Sequence, residues 1–329
     1  MARGLFFSII TVLFWALEHV SLKVIVSHWP IEPAVFVCVN LLTASLVLLI
    51  IAGPGRLGLE TIKQPHTWAY SLFSVLNNVF FVLAVGLISA AEASFIWRFN
   101  AVLTMIVVWF FIGRSTSVYD WIGTLIILGG CALIAAGFDP QIRDIALVIV
   151  FVGTLSMTLR TTVTEFHPTS NQSRTIKEQC RITGYVLLVT SAAFLLFILG
   201  MTYVSSSLTG RQDVFGMVAA YMPQRSDFFD PPTIWSAMLL GAFLTAIYNY
   251  CQFVATRTAK SEIFIMVTAL VPFVTYAFEL IASVLGYAPA PEMSTRSLTG
   301  GCLIGAGAIF IIYMRFHRAR REKVTRAVA

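Results

Sequence analysis

The feature that most constrains this chain is a succession of apolar runs, each close to the length a helix needs to cross a bilayer. A transmembrane helix takes about 20 predominantly apolar residues. Ten such runs are read, over 4–25, 34–52, 68–88, 92–112, 119–137, 144–162, 181–203, 233–255, 261–285 and 297–316. They are long and continuous, whereas the strands of a membrane barrel would be short and alternating. The fold expected is an all-α integral membrane protein with ten transmembrane helices. Composition agrees: 58% of the 329 residues are hydrophobic, 12% are charged, and the mean hydropathy is +0.83. A soluble fold could not hide that much apolar surface, because a large share of any surface faces water.

Arg3 followed by the apolar stretch Leu5–Leu17 could be mistaken for a secretory leader. No small-residue cleavage site follows and the helical pattern continues through Lys23, so the segment is read as retained. Orientation follows from the bias of Lys and Arg toward the cytoplasm. With the N-terminus inside, Arg3, Arg56, Lys63, Arg114, Arg160, Arg174, Lys177, Arg181, Arg257, Lys260 and the cations from Arg315 to Arg326 fall on the cytoplasmic side. The outer side then holds only Arg143, Arg211, Arg225 and Arg296, and the longest outer connection runs over 204–232. Both termini are therefore expected in the cytoplasm, and the protein in the cytoplasmic (inner) membrane. The basic tail from Arg315 to Lys323 is read as resting on anionic lipid headgroups, not on nucleic acid. Cys38, Cys131, Cys180, Cys251 and Cys302 stand singly and are read as packing residues.

An internal repeat is visible. Ala91–Ile96 opens the fourth run with Glu92, and Ser261–Ile265 opens the ninth with Glu262, 170 positions later. Gly123 and Gly130 in the fifth run are matched by Gly300 and Gly307 in the tenth. Residues 1–140 and 141–329 are therefore expected to form two five-helix repeats. Because five is odd, the second copy enters the membrane from the opposite side, and the halves have inverted topology. Such pairs recur in secondary transporters, with the substrate site near the midplane where the halves meet.

Particular residues resemble those of a known family. Trp15-Ala16-Leu17-Glu18-His19, with Lys23 eight positions after the Trp, is similar to the first-helix pattern of the EamA-type transporters of the drug/metabolite transporter superfamily. Asn77-Asn78-Val79-Phe80-Phe81 followed by Ala90-Ala91-Glu92-Ala93 resembles that family's junction of third and fourth helices, and Trp121-Ile122-Gly123 with Gly129-Gly130 resembles its fifth. The sequence departs from the pattern at Glu18–His19, where the family often has Asn, at Val102, where it often has Pro, and at Gly113-Arg114, where it often has Gly-Glu. The resemblance implies an exporter or exchanger of small metabolites such as amino or organic acids, with substrate in a central cavity.

A charge in the middle of a bilayer costs at least about 2.5–3.5 kcal/mol on insertion scales, so polar residues kept there usually face a cavity or a partner. Trp15, His19 and Lys23 recur at one-turn spacing and share a helix face, with Glu18 beside it. They line a substrate path, with Glu18 or His19 able to take up a proton; otherwise Glu18 and Lys23 form an internal ion pair, or Lys23 snorkels outward. Arg98, flanked by Trp97 and Asn100, needs an anion, from the substrate or from Glu18, Glu92 or Glu279. Asn77, Asn78, Tyr248 and Asn249 can bond a substrate or join helices. Glu279 lies deep in the ninth run and is carried as a further path residue.

No GxxxxGK[ST] motif occurs, which argues against an ATP-driven pump, and His19, His28, His66, His167 and His317 make no metal-binding spacing. The expected function is secondary transport by alternating access, without cofactor or metal. A small molecule, the lipid bilayer and protons as coupling ions are the expected partners; the sequence sets no oligomeric state. A channel or an intramembrane enzyme is the alternative.

Overall fold

In the computed structural model, residues 2–87, 90–208, 223–287 and 294–328 are described. Of the long connection expected over 204–232, residues 209–222, with Arg211, lie outside them. The described residues are helical, with no strand among them. The long helices are α1 (Ala2–His28), α2 (Pro33–Ala52), α3 (Pro65–Leu87), α4 (Ala90–Ile96 and Phe99–Phe110), α5 (Val118–Ala135) and α6 (Arg143–Glu165). They continue as α7 (Ile176–Leu208), α8 (Pro231–Leu240 and Ala246–Ala259, joined by a π turn at Gly241–Thr245), α9 (Ser261–Thr268 and Val271–Val284) and α10 (Thr295–Val328). Nine helices among the described residues are long and apolar enough to cross a membrane. The helix α3 covers the run expected over 68–88 and is not one of these nine, so the structure establishes a multi-pass membrane protein rather than the count of ten.

Local chemistry sets the helix ends. Glu32 caps α2, accepting the Val35 amide at 2.8 Å, and Pro33 supplies a first helical residue that needs no donor. Ser117 and Asp120 form a capping box at the start of α5. Two of the expected continuous runs are broken in the membrane, α4 at Trp97–Arg98 and α9 at Ala269–Leu270. Pro272 accounts for the second break. It has no amide hydrogen, so the carbonyl of Thr268 loses its partner one turn back. The Arg98 guanidinium fills that vacancy, with Nη1 donating to the Thr268 carbonyl at 2.9 Å. The two broken helices are thus joined at their breaks.

The helices pack in matching pairs. The helix α5 lies against α10, and α2 against α7. The contact of α3 with α6 is paralleled by that of α8 with α1, and the contact of α4 with α6 by that of α9 with α1. In the α5–α10 pair the glycines singled out in the sequence face one another. A Cβ on Gly130 would lie 2.5 Å from the Gly300 carbonyl oxygen, and one on Gly307 would lie 2.7 Å from that of Gly123. In lipid, where apolar burial between helices gains little, such close backbone approach supplies the packing.

Candidate functional site

A cavity of about 570 Å³ lies at the centre of the molecule, with walls from α1, α2, α3, α4, α6, α7 and α8. It extends from Ile31 and Pro33, at the turn between α1 and α2, down to Tyr70 and Arg160. Below Tyr70 the path is filled. The Tyr70 ring packs on Phe253 at 5.4 Å, Phe253 meets His167, and His167 Nε2 is 3.0 Å from the Thr67 hydroxyl.

Trp15, Glu18, His19, Asn77, Asn78, Trp97, Arg98, Tyr248 and Asn249, all singled out in the sequence, line this cavity together. Trp15 stacks on Tyr248 with ring centroids 6.0 Å apart and meets His19 edge-on. Across the space Trp97 packs edge-on against Phe81 and donates from Nε1 to Asn77 Oδ1 at 3.1 Å. Two aromatic walls therefore enclose a slot whose polar groups sit at its corners.

Glu18 is buried, and its carboxylate oxygen Oε1 accepts from the Thr245 hydroxyl at 2.5 Å and from Asn40 Nδ2 at 3.3 Å. Both donors are neutral. Thr245 belongs to the π turn, an interruption that recurs at functional sites. Gly241, at its start, lets α8 approach α2, since a Cβ there would lie 2.5 Å from the Asn40 carbonyl oxygen.

Arg98 lines the cavity, but its bonded partners differ from those expected. Its guanidinium donates to the carbonyls of Thr268 and Ser94 and lies over the Trp15 ring at 5.8 Å. Neither Glu18 nor Glu279 bonds it, and the Glu92 side chain lies outside the described residues. The remaining three sequence candidates stand away from the cavity. Lys23 Nζ pairs with Glu279 Oε2 at 3.0 Å, an ion pair that ties α1 to α9. Asn100 is buried behind the wall, its Nδ2 3.1 Å from Met157 Sδ and its Oδ1 without a hydrogen-bond partner among the described residues.

Sequence reasoning missed Asn40 and Arg160. Asn40 was legible as an amide within the otherwise very apolar Pro33–Ala52 helix. Arg160 was counted only as a topology signal, although it sits a full turn inside the end of α6 and reaches the cavity floor. Among the described residues no cluster of His, Cys, Asp and Glu could hold a metal ion.

An α-helical membrane protein with a central, aromatic-walled cavity is the class these observations define. Residues 2–136 match the model of the EamA-like transporter family. It is 30% identical over 156 residues to an uncharacterized transporter of Bacillus subtilis (strain 168), YvbV. That alignment covers 46% of this chain and spans about half, 50%, of the relative's length. A crystal structure 16% identical in sequence superposes with a TM-score of 0.63, covering 95% of this chain and 98% of that one. At that identity the likeness extends to the fold.

Proposed function

We propose that this protein is a secondary active transporter that moves small metabolites, amino or organic acids, across the cytoplasmic membrane by alternating access, as an exporter or exchanger. The observation that carries the reading is the closed-bottomed central cavity, walled by helices of both the 1–140 and the 141–329 segments. Two inverted five-helix repeats with ten spans and cytoplasmic termini are part of the proposal. The paired helix contacts and the facing glycines of α5 and α10 support it. Rocking of one half against the other would close the mouth at Ile31 and Pro33 and open the end below Tyr70.

The aromatic slot accepts an apolar or planar body, an arginine awaits an acidic group, and the Glu18 carboxylate suits an ammonium group or a proton. An amino acid satisfies all three. Glu18 is proposed as the group that carries a coupling proton, because its bonded partners among the described residues are neutral hydroxyl and amide donors. This reading is favoured over a channel, since a filled path below Tyr70 interrupts a continuous pore.

The test is flux into proteoliposomes loaded with unlabelled amino and organic acids. Saturable uptake of a labelled acid, accelerated by its unlabelled counterpart inside, is expected. Uptake that rises linearly with concentration and ignores the internal acid supports the channel, and hydrolysis or conversion of the acid supports an enzyme. Glu18→Gln should retain exchange but lose its dependence on a pH gradient.

A further inference from the structure

We infer that Arg160, on the floor of the central cavity, is the residue that binds the anionic group of the ligand, a carboxylate or a similarly small oxyanion. This deepens the transporter reading and rests on it for that ligand being the transported molecule. Two arginines line the cavity, and they differ in what already holds them. Arg98 spends its charge on the fold, donating to two backbone carbonyls at 2.9 and 3.2 Å, one of them the carbonyl that Pro272 leaves vacant. Arg160 has no such role. Its guanidinium makes no hydrogen bond or ion pair among the described residues, and its Nε is buried without a partner. What it touches is the face of Tyr70, with the guanidinium 5.8 Å from the ring centroid.

A ring face attracts a cation but accepts none of its five N–H donors in the way an oxygen does. A half-buried guanidinium with its fork unused is matched by a two-oxygen anion, which accepts two parallel bonds from it. The nearest carboxylate along its own helix, Glu165, is engaged by Arg114 and by the Ser261 amide, and no other carboxylate among the described residues pairs with Arg160. Glu18 bonds Asn40 and Thr245 instead. The position also fits a ligand. Arg160 and Tyr70 form the closed bottom of the cavity, so an acidic group there leaves the rest of the molecule between the Trp15–Tyr248 stack and the Trp97–Phe81 pair.

Thermal unfolding of the full chain in detergent, with benzoate, phenylpyruvate, L-phenylalanine and phenylethylamine as probes, tests this. At least one of the three carboxylates is expected to stabilise the wild type. Its half-saturating concentration should rise at least about tenfold in Arg160→Gln, as loss of a charge-assisted pair implies, and less than about threefold in Arg98→Gln. Phenylethylamine, which lacks the carboxylate, should respond equally to wild type and Arg160→Gln. Should the Gln variant not purify as a single species, Arg160→Lys keeps the charge but loses the fork. It should weaken the carboxylate alone, by about threefold or more. Failure of every carboxylate to stabilise the wild type, or a larger loss in Arg98→Gln than in Arg160→Gln, overturns the inference. If a carboxylate binds through Arg160 yet shows no counter-stimulated flux, the transporter reading fails and the anion site stands. If flux is seen and is indifferent to Arg160, the inference alone fails.

Discussion

The molecule holds two groups of charges, and they are built on opposite plans. At the end that carries the N-terminus, Arg114 pairs with Glu165 and, at 2.7 Å, with Glu262. Arg315 pairs with Asp120 at 2.8 Å and with Glu262 at 3.4 Å, while Glu165 also accepts the Ser261 amide. These bonds tie the ends of α5, α6 and α9 and the connection that follows α4 to Arg315 within α10. Burial opposes the charge on Arg114, which lies in the connection between α4 and α5. The hydrogen bonds and charges of Glu165 and Glu262 outweigh it and hold its pKa above the ordinary value. In the central cavity the same residue types stand apart. Glu18 bonds neutral donors, Arg98 bonds carbonyls, and the Arg160 guanidinium has no hydrogen-bond acceptor among the described residues. The difference separates charges that the fold consumes, Arg98 among them, from charges that it leaves available, Glu18 and Arg160. Removing a consumed charge should damage the fold, and removing an available one should damage ligand binding alone.

The largest effect is expected at Glu262, which both arginines share. Removing one partner of a buried pair leaves an uncompensated charge and costs about 3 kcal/mol or more. Glu262→Ala should therefore unfold at a markedly lower temperature in detergent, and an unchanged transition would show that the network contributes no stability. Gly130→Leu should come next, since its side chain has no room against the Gly300 backbone; overpacking of this kind costs about 1–3 kcal/mol. Thr245→Val removes a hydroxyl from the buried Glu18 carboxylate, with an expected loss of about 1–3 kcal/mol. Comparison with Thr245→Ser, which keeps the hydroxyl and should stay near wild type, separates the bond from the packing. Lys23→Ala breaks a pair whose Lys side chain is 34% exposed, so only about 0–1 kcal/mol is at stake. A change as large as that of Glu262→Ala would make the Lys23–Glu279 pair part of the frame.

Much of the frame was legible in the sequence, because a bilayer writes its thickness into the length of apolar runs. The runs over 34–52 and 119–137 lie within two residues of the helices Pro33–Ala52 and Val118–Ala135. The glycines at 123, 130, 300 and 307, matched in the sequence as parts of a repeat, face one another across α5 and α10, a contact that the sequence did not announce. The breaks in α4 and α9 were not legible, since an uninterrupted apolar run does not reveal a turn at Trp97–Arg98. Pro272 was the one local sign of such a break, and what replaces its missing hydrogen bond comes from Arg98, distant in the chain. For the same reason the roles of the two arginines were not separable. Arg98 drew attention by its depth, and Arg160 was hidden by its closeness to a helix end. Only the folded arrangement shows which of them already has acceptors.

The most direct measurement is the unfolding temperature of ligand-free Arg160→Gln in detergent beside that of Glu262→Gln. If the cavity charge is held for a ligand, Arg160→Gln unfolds at or above the wild-type temperature, while Glu262→Gln unfolds well below it. A loss in Arg160→Gln as large as that in Glu262→Gln would contradict the account, placing Arg160 among the charges that hold the fold.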